Sequence, residues 1–440
     1  MLPTSAHRAP RASTVCLFTV LHNVHAESEV AGGGAGDAPA ALPDDTPMPV
    51  IIVGGGVMGA ATAWFLARDH GVTATVLERD LSYALASSAR SACAIRQQFS
   101  TSINIRVSQE SLAFYRRIGE ELAVHGDAPS IGLVEPGYLY LAATEAGAET
   151  LRAQHALQRT HEVHTRLLAP HELSQRYPWL DTQQLTLGSL GLSTATSGEG
   201  WFDGYAAMQA FRHAATARGV TFLQADVRDF RTQGDRVTGV CTTDDRVFDA
   251  DAVVITAGAW SAPVAAALGV MLPVHARKRD VFAVEADVDL RDAPLVIDPS
   301  GVWFRPERTR GHFLCGAPPR GDDIDDVPLD QVDHALFDEF IWPRLAERVP
   351  AFDALRVMSS WAGYYEMNSF DHNGLVGPLP GYANAFTACG FSGHGLQQAP
   401  AVGRGLAERI VTGAYQSLDL SPFSVDRIAA NAPLLERNVI

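Results

Sequence analysis

Val50-Ile51-Ile52-Val53 runs straight into Gly54-Gly55-Gly56-Val57-Met58-Gly59, and few short segments leave a chain so little choice of fold. The apolar run reads as a strand buried on both faces. The glycines fit G-x-G-x-x-G between that strand and a helix expected over 57–69. Gly54 permits the tight turn, Gly56 lets a pyrophosphate approach the backbone, and Gly59 lets the helix pack close on the strand. The helix start at Val57 and Met58 then offers its amides and positive pole to phosphates. A second strand, Thr73–Leu77, ends at Glu78 and Arg79, where the carboxylate can accept from an adenosine ribose. This βαβ unit belongs to a parallel sheet.

The glycine motif does not choose between nicotinamide and flavin dinucleotides; three later segments do. Ser87 and Ser88 lie in the loop just past Glu78. Ala257, Gly258 and Trp260 follow the buried strand Ala252–Ile255, where small residues let the backbone pass close to a cofactor. Gly390-Phe391-Ser392-Gly393-His394-Gly395-Leu396 joins the strand Ala385–Gly390 to a helix expected over Pro400–Val411, and its amides can form an anion-binding nest. The positive end of that helix suits a reduced flavin that carries negative charge. FAD is therefore the expected cofactor. Val227, at the head of a strand over 226–231, completes the expected binding set.

These segments are far apart, so the nucleotide fold is discontinuous. Residues 48–130, 204–265 and 360–440 are assigned to an FAD domain, and 131–203 with 266–359 to a substrate domain. The expected class is α/β: a Rossmann-like FAD domain with a parallel sheet, plus a substrate domain with a mainly antiparallel sheet. A long helix is expected over Ser102–Val124, and one near 329–347 in an otherwise β-rich stretch.

A formal net charge of −16 disfavours nucleic acid as a partner. No apolar run is long enough to span a bilayer. The five cysteines include no C-x-x-C pair and no zinc-finger spacing, so no metal site is expected, and Cys315 and Cys389 read as buried small apolar residues. Residues 1–47, rich in Ala, Pro, Gly and Ser, read as an unstructured extension before Met48, with cytoplasmic localisation. Arg8 and Arg11 keep open a presequence and the mitochondrial matrix; Val15–Leu21 faintly resembles a secretory core.

Together GGGVMG with Glu78, ITAGAWS and CGFSGHGLQQAP resemble the D-amino-acid oxidase and sarcosine oxidase superfamily over about residues 49–440. WAGYYEMNSFDHNGLVGP, the GFSGHG run and LDLSPF are similar to mitochondrial FAD-dependent oxidoreductase-domain proteins linked to respiratory complex I assembly, and to their bacterial relatives. The resemblance implies oxidation of a secondary or N-methyl amino acid, of sarcosine or dimethylglycine type, by hydride transfer to FAD. The alternative is an FAD-containing assembly factor for a respiratory complex.

Aligned on that family, Arg96 matches the arginine that grips the substrate carboxylate; a structural arginine is the competing reading. Gln397 stands where a carboxylate-binding lysine is expected, and Leu314 where the oxygen-activating lysine is expected. The flavin-linking cysteine is missing from Trp361–Tyr365, so FAD is expected to be noncovalent. Loss of the lysine favours a dehydrogenase over an oxidase, with a protein or quinone-linked electron acceptor. Tyr364 and Tyr365 alternate faces on a strand, so one of them is expected to reach the pocket. His394 is read as a packing and hydrogen-bonding residue ahead of a proton donor. Arg277-Lys278-Arg279 either raises the potential at the pocket mouth or is a solvated charge run. Asp371-His372-Asn373, adjacent in a turn, is not expected to converge as a catalytic pair.

Overall fold

In the computed structural model, which describes residues 48–438, the first strand is the centre of a six-stranded sheet. The order is Leu375–Pro378, Ala385–Cys389, Ala252–Ile255, Val50–Val53, Ala74–Glu78, Thr221–Gln224. All neighbours are parallel except the edge strand Leu375–Pro378. The chain leaves the central strand to build outward on both sides, and that reversal opens a crevice beyond the carboxyl ends of the strands. Gly54, Glu78, Thr256–Gly258 and Gly390 all sit at those ends.

The first helix, Val57–His70, is buried from Val57 to Leu66 and stops at Gly71, whose φ of 65° closes the left-handed cap. It lies between the sheet and the C-terminal helix Gly395–Thr412. A Cβ at Gly403 would stand 2.9 Å from Ala61 Cβ, so only glycine lets these two helices approach so closely. Trp64, Phe65, Phe114 and Phe211 fill the far side of the same core.

The C-terminal helix starts at Gly395 rather than at Pro400, which lies inside it. Proline has no N–H to give the carbonyl four residues back. Here the Tyr115 hydroxyl donates to Leu396 O at 2.6 Å, which satisfies that carbonyl and lets the helix continue. The helix expected over Ser102–Val124 is divided at Arg117 into Ser102–Arg116 and Ile118–Glu121. The later helix runs as His334–Leu336, Phe337–Ile341 and Trp342–Arg348, with a wide turn in its middle.

The second large sheet has eight strands in the order Arg356–Asn368, Val274–Glu285, His312–Gly316, Trp303–Pro306, Leu295–Ile297, Tyr138–Ala142, Leu187–Gly191, Thr165–Leu168. It is antiparallel except where Leu295–Ile297 pairs with Tyr138–Ala142. Its own apolar core, around Phe282, Phe304, Phe313 and Phe352, contains Cys315; Cys389 is buried in a core on one side of the parallel sheet. The α/β class with one parallel and one mainly antiparallel sheet is the one expected. Among the described residues no helix is long and apolar enough to cross a membrane, and no His, Cys, Asp and Glu cluster could hold a metal. The readings made for residues 1–47 lie outside the described residues.

Candidate cofactor and active site

One cavity of about 280 Å³ links the strand ends of the parallel sheet to the wall of the eight-stranded sheet. At its first end the glycine turn is fixed by sterics. Gly54 has φ of +100°, and a Cβ there would stand 2.5 Å from Thr256 O. At Gly59 a Cβ would stand 2.0 Å from Gly54 O, so Gly59 serves packing and is not on the cavity wall. Gly56 is open, its nearest neighbour being Ser88 Oγ at 3.6 Å. Gly54, Gly56, Val57 and Met58 line the cavity, and Gly56 carries no capping side chain, so the helix presents its first turn there.

Glu78 is positioned by the backbone it faces. Its Oε2 accepts from Gly55 N at 2.8 Å and its Oε1 from Asp80 N at 3.0 Å, which leaves lone pairs directed at the cavity edge. The Arg79 guanidinium lies 3.6 Å over the Trp260 ring. Ser87 Oγ donates to Tyr364 O at 2.7 Å, and Ser88 Oγ accepts from Val57 N at 3.2 Å. Val227, Ala257, Gly258, Gly393, His394, Gly395 and Leu396 also border the cavity. Gly390 does not; its φ of +72° turns the chain and its N–H donates to Glu366 Oε2 at 3.1 Å. Two helix starts, at Val57, whose own amide is taken by Ser88 Oγ, and at Gly395, thus meet one cavity walled by glycine and other small residues. Such a cradle fits a dinucleotide, with anions favoured at both helix ends.

At the other end stands Arg96, 3% exposed. Its backbone is fixed before its side chain acts: Arg96 N donates to Gln397 Oε1 at 2.9 Å, and Ser108 Oγ donates to Arg96 O at 2.5 Å. The next two amides, of Gln97 and Gln98, donate to Glu199 Oε1 at 2.8 and 3.0 Å. The guanidinium donates from Nη1 to Gln98 O at 2.7 Å, and from Nη2 to His394 Nε2 at 2.8 Å and to Asn438 O. It stacks 4.2 Å over Phe99. His394, accepting at Nε2 and pushed well below the usual histidine range by burial and then by Arg96, is a neutral imidazole. Gln397 spends its carbonyl on Arg96 N and on a longer, 3.1 Å share of the Ser108 hydroxyl proton, which leaves its amide nitrogen for a ligand.

Tyr364 and Tyr365 both border the cavity, but differently. Tyr364 donates its hydroxyl to Val327 O at 2.9 Å, whereas the Tyr365 ring packs on Gly393 under the Arg279 guanidinium, 5.1 Å away. The basic triplet is neither free nor a field at the mouth. Arg277 pairs with Asp325 at 2.8 Å, Lys278 with Asp280 at 3.3 Å and Arg279 with Asp323 at 2.9 Å. The acidic loop at 322–326 neutralises the two arginines, a pairing invisible in local sequence, while Lys278 is met by the nearby Asp280. Asp371 likewise belongs to structure, in a buried ion pair with Arg427 at 2.7 Å. Leu314 is buried between Ala283 and Arg305 on its neighbouring strands and does not reach the cavity wall.

Several residues on or behind the cavity wall carried no local signal. Tyr138 lines the cavity and stacks on Tyr140 at 5.3 Å; both rings are about 6 Å from Arg96, at 6.0 and 5.9 Å, and burial raises both hydroxyls so that they stay protonated. Glu199, fully buried, is raised to about 7 by burial. Cys93 also lines the cavity; its thiol donates to Ser91 O at 3.0 Å and accepts from Gly204 N at 3.3 Å, and burial raises it. Glu366 borders the cavity beside the C-terminal glycine loop. Asn438 was hidden by its distance along the chain: its Nδ2 donates to Gln98 O at 2.9 Å while its carbonyl takes Arg96.

Residues 49–409 match the family described as FAD dependent oxidoreductase. FAD-dependent oxidoreductase domain-containing protein 1 of Xenopus laevis is 40% identical over 426 residues, covering 89% of this chain and 84% of that protein. The glycine oxidase of Geobacillus kaustophilus is 28% identical over 381 residues, covering 86% and 96%. The structure of L-proline dehydrogenase from P. horikoshii has a TM-score of 0.76 at 25% identity, covering 88% of this chain and 99% of that one.

Proposed function

The chain belongs to the FAD-dependent oxidoreductase family, and from that premise we propose that it oxidises the C–N bond of a small secondary or N-methyl amino acid whose carboxylate is held by Arg96. One observation carries the substrate class. Four arginines are buried among the described residues: Arg96, Arg305, Arg348 and Arg427. Arg305 pairs with Glu307 at 2.6 Å, Arg348 with Asp298 at 2.8 Å and Arg427 with Asp371 at 2.7 Å. Arg96 has two carbonyls and a neutral imidazole, and no carboxylate within ion-pair distance among the described residues. A buried charge without a counterion is costly. Glu436 and Glu199 act on Arg96 only from beyond ion-pair distance, and Arg96 borders the cavity, so a ligand carboxylate supplies the direct partner it lacks.

FAD, when bound, takes the hydride from the C–H next to nitrogen, and the imine product then hydrolyses. The glycine turn, Glu78, Arg79 and Trp260 would hold its adenosine and pyrophosphate, and the Gly393–Leu396 loop its other end. Noncovalent attachment is supported by the absence of a cysteine from Trp361–Tyr365 and by the partly buried, hydrogen-bonded state of the Cys93 thiol. Arg96 fixes the carboxylate, Tyr138 and Tyr365 offer protonated hydroxyls, and Gln397 offers its amide. His394 orients Arg96 and, being neutral and already an acceptor, is a poor acid. No carboxylate lies within ion-pair distance of Arg96 among the described residues, and the cavity carboxyl Glu366 is engaged by the Gly390 and Phe391 amides, which suits direct hydride removal from a neutral amine. Leu314 lies off the cavity wall, but no lysine borders the cavity among the described residues, which supports a dehydrogenase using a protein or quinone-linked acceptor.

Anaerobic bleaching of the bound flavin across primary, N-methyl and cyclic amino acids tests the reading. Bleaching by a carboxylated secondary amine, followed by slow reoxidation on mixing with oxygen, is expected. Failure of every amine would leave FAD as a structural ligand; fast reoxidation would remove the dehydrogenase preference.

A further inference from the structure

Glu366 takes no part in the reaction proposed above, yet its carboxyl group is built into the cofactor cavity. It lies on the strand Arg356–Asn368, one residue past Tyr365. Its Oε2 accepts from Gly390 N at 3.1 Å and the carboxyl also takes the Phe391 amide. Its Oε1 lies 3.0 Å from where a Gly395 Cβ would stand, and Oε2 is 3.9 Å from the same point on Gly258. The group is therefore wedged between the two glycine loops of the cavity, at the start of the 18-residue C-terminal helix.

No lysine or arginine among the described residues is within ion-pair distance of it. The titratable groups around it are accounted for. On its own face of the sheet, Tyr364 is a neutral phenol, and Lys278 spends its charge on Asp280. From the neighbouring strand end comes the Cys389 thiol, pushed up to about 12 by burial, and from the helix start the neutral His394. Among the described residues, backbone amides and the helix pole are its only positive partners.

We propose that Glu366 is the proton-compensating group of the cofactor site: it takes one proton from solvent when FAD is reduced and returns it when FAD is reoxidised. The donor loses a hydride, the cofactor gains two electrons and one proton, and the site gains one negative charge. Two like charges in one desolvated space disfavour each other, and the group able to titrate takes up the proton. Burial already brings this carboxyl up to about 7, so it is poised to respond. Below that value it is protonated in both redox states. Above it, reduction draws in an additional proton, until the pH exceeds the still higher pKa of the reduced state.

The test uses the FAD-loaded protein and chemical or photochemical reduction without substrate, so it is independent of whether an amine is oxidised. Midpoint potential is measured against pH by dye equilibration. One additional proton per two electrons changes the reduced-to-oxidised ratio tenfold per pH unit, about 30 mV. That additional slope is expected to begin near neutral pH, to vanish in Glu366→Gln and to persist in a shifted window in Glu366→Asp. Equal slopes for the parent and Glu366→Gln overturn the proposal. If Glu366→Gln fails to load FAD, reduced-minus-oxidised infrared spectra of the parent decide. A protonated-carboxyl band that appears on reduction above neutral pH and shifts in Glu366→Asp supports the assignment; absence of the band overturns it.

Discussion

Replacing Arg96 with alanine separates a carboxylate clamp from a structural arginine. A guanidinium has five N–H donors. Three are spent on Gln98 O, His394 Nε2 and Asn438 O, which leaves two for a ligand. Charge-assisted bonds are worth about 1.5–3 kcal/mol each, so about 3–6 kcal/mol is the ceiling on what Arg96→Ala removes. Water entering the vacated space returns part of this, and a loss of about 2–4 kcal/mol, roughly 30- to 1,000-fold in affinity, is expected. The glycine turn and Glu78 do not touch Arg96, and the backbone of the Gly393–Leu396 loop is not held by the guanidinium, so FAD content should be largely kept. Arg96→Lys should recover only part, because an ammonium lacks the planar fork that faces Gln98 O and His394 together. The assay is anaerobic reductive titration with a carboxylated amine and its decarboxylated analogue, in parent and variant. The analogue should already bind weakly to the parent and lose little more in the variant, a double-mutant cycle between Arg96 and the carboxylate. Equal losses for both ligands would refute the clamp and assign Arg96 to structure.

Two further outcomes follow from the same geometry. Acid or heat precipitation should release the flavin into the supernatant, measured by absorbance; colour that stays with the pellet would point to a covalent link, with Cys93 the cavity cysteine to replace first. Tyr115→Phe should cost about 1–3 kcal/mol in thermal or denaturant unfolding, because Leu396 O is left without a donor. Pro400→Ala restores an N–H four residues on and should recover most of that loss; no recovery in the double variant would show that Tyr115 acts through packing alone.

How much of this was legible in the sequence depended on how far apart the interacting groups lie. The dinucleotide end is local: Gly54–Gly59 and Glu78 meet through a bond spanning 23 residues, and a single βαβ unit carries the geometry. The C-terminal glycine loop was legible for the same reason, as a strand, a turn and a helix in one run. The start of that helix was not. Pro400 is a natural first-turn residue, and only a tyrosine 281 positions away allows the helix to begin five residues earlier. The triplet Arg277-Lys278-Arg279 reads as a charge cluster until Asp323 and Asp325 fold over it, and no periodicity in the sequence announces that pairing.

The substrate end shows the other limit. Arg96 could be found by family likeness, but what makes it more than a surface arginine is assembled from remote groups. Gln397 fixes its backbone across 301 residues and Asn438 takes its side chain across 342. Glu199 holds the two amides that follow. Gln397 and Glu199 are polar and buried, Asn438 is partly so, and such groups are costly to bury without their partners. Hydrophobic pattern locates sheets and helices because apolar burial is non-directional and repeats with the backbone period. A buried polar network is directional and aperiodic. It becomes visible only after folding, and in this chain it converges on the one buried arginine that the described residues leave without a carboxylate in direct contact.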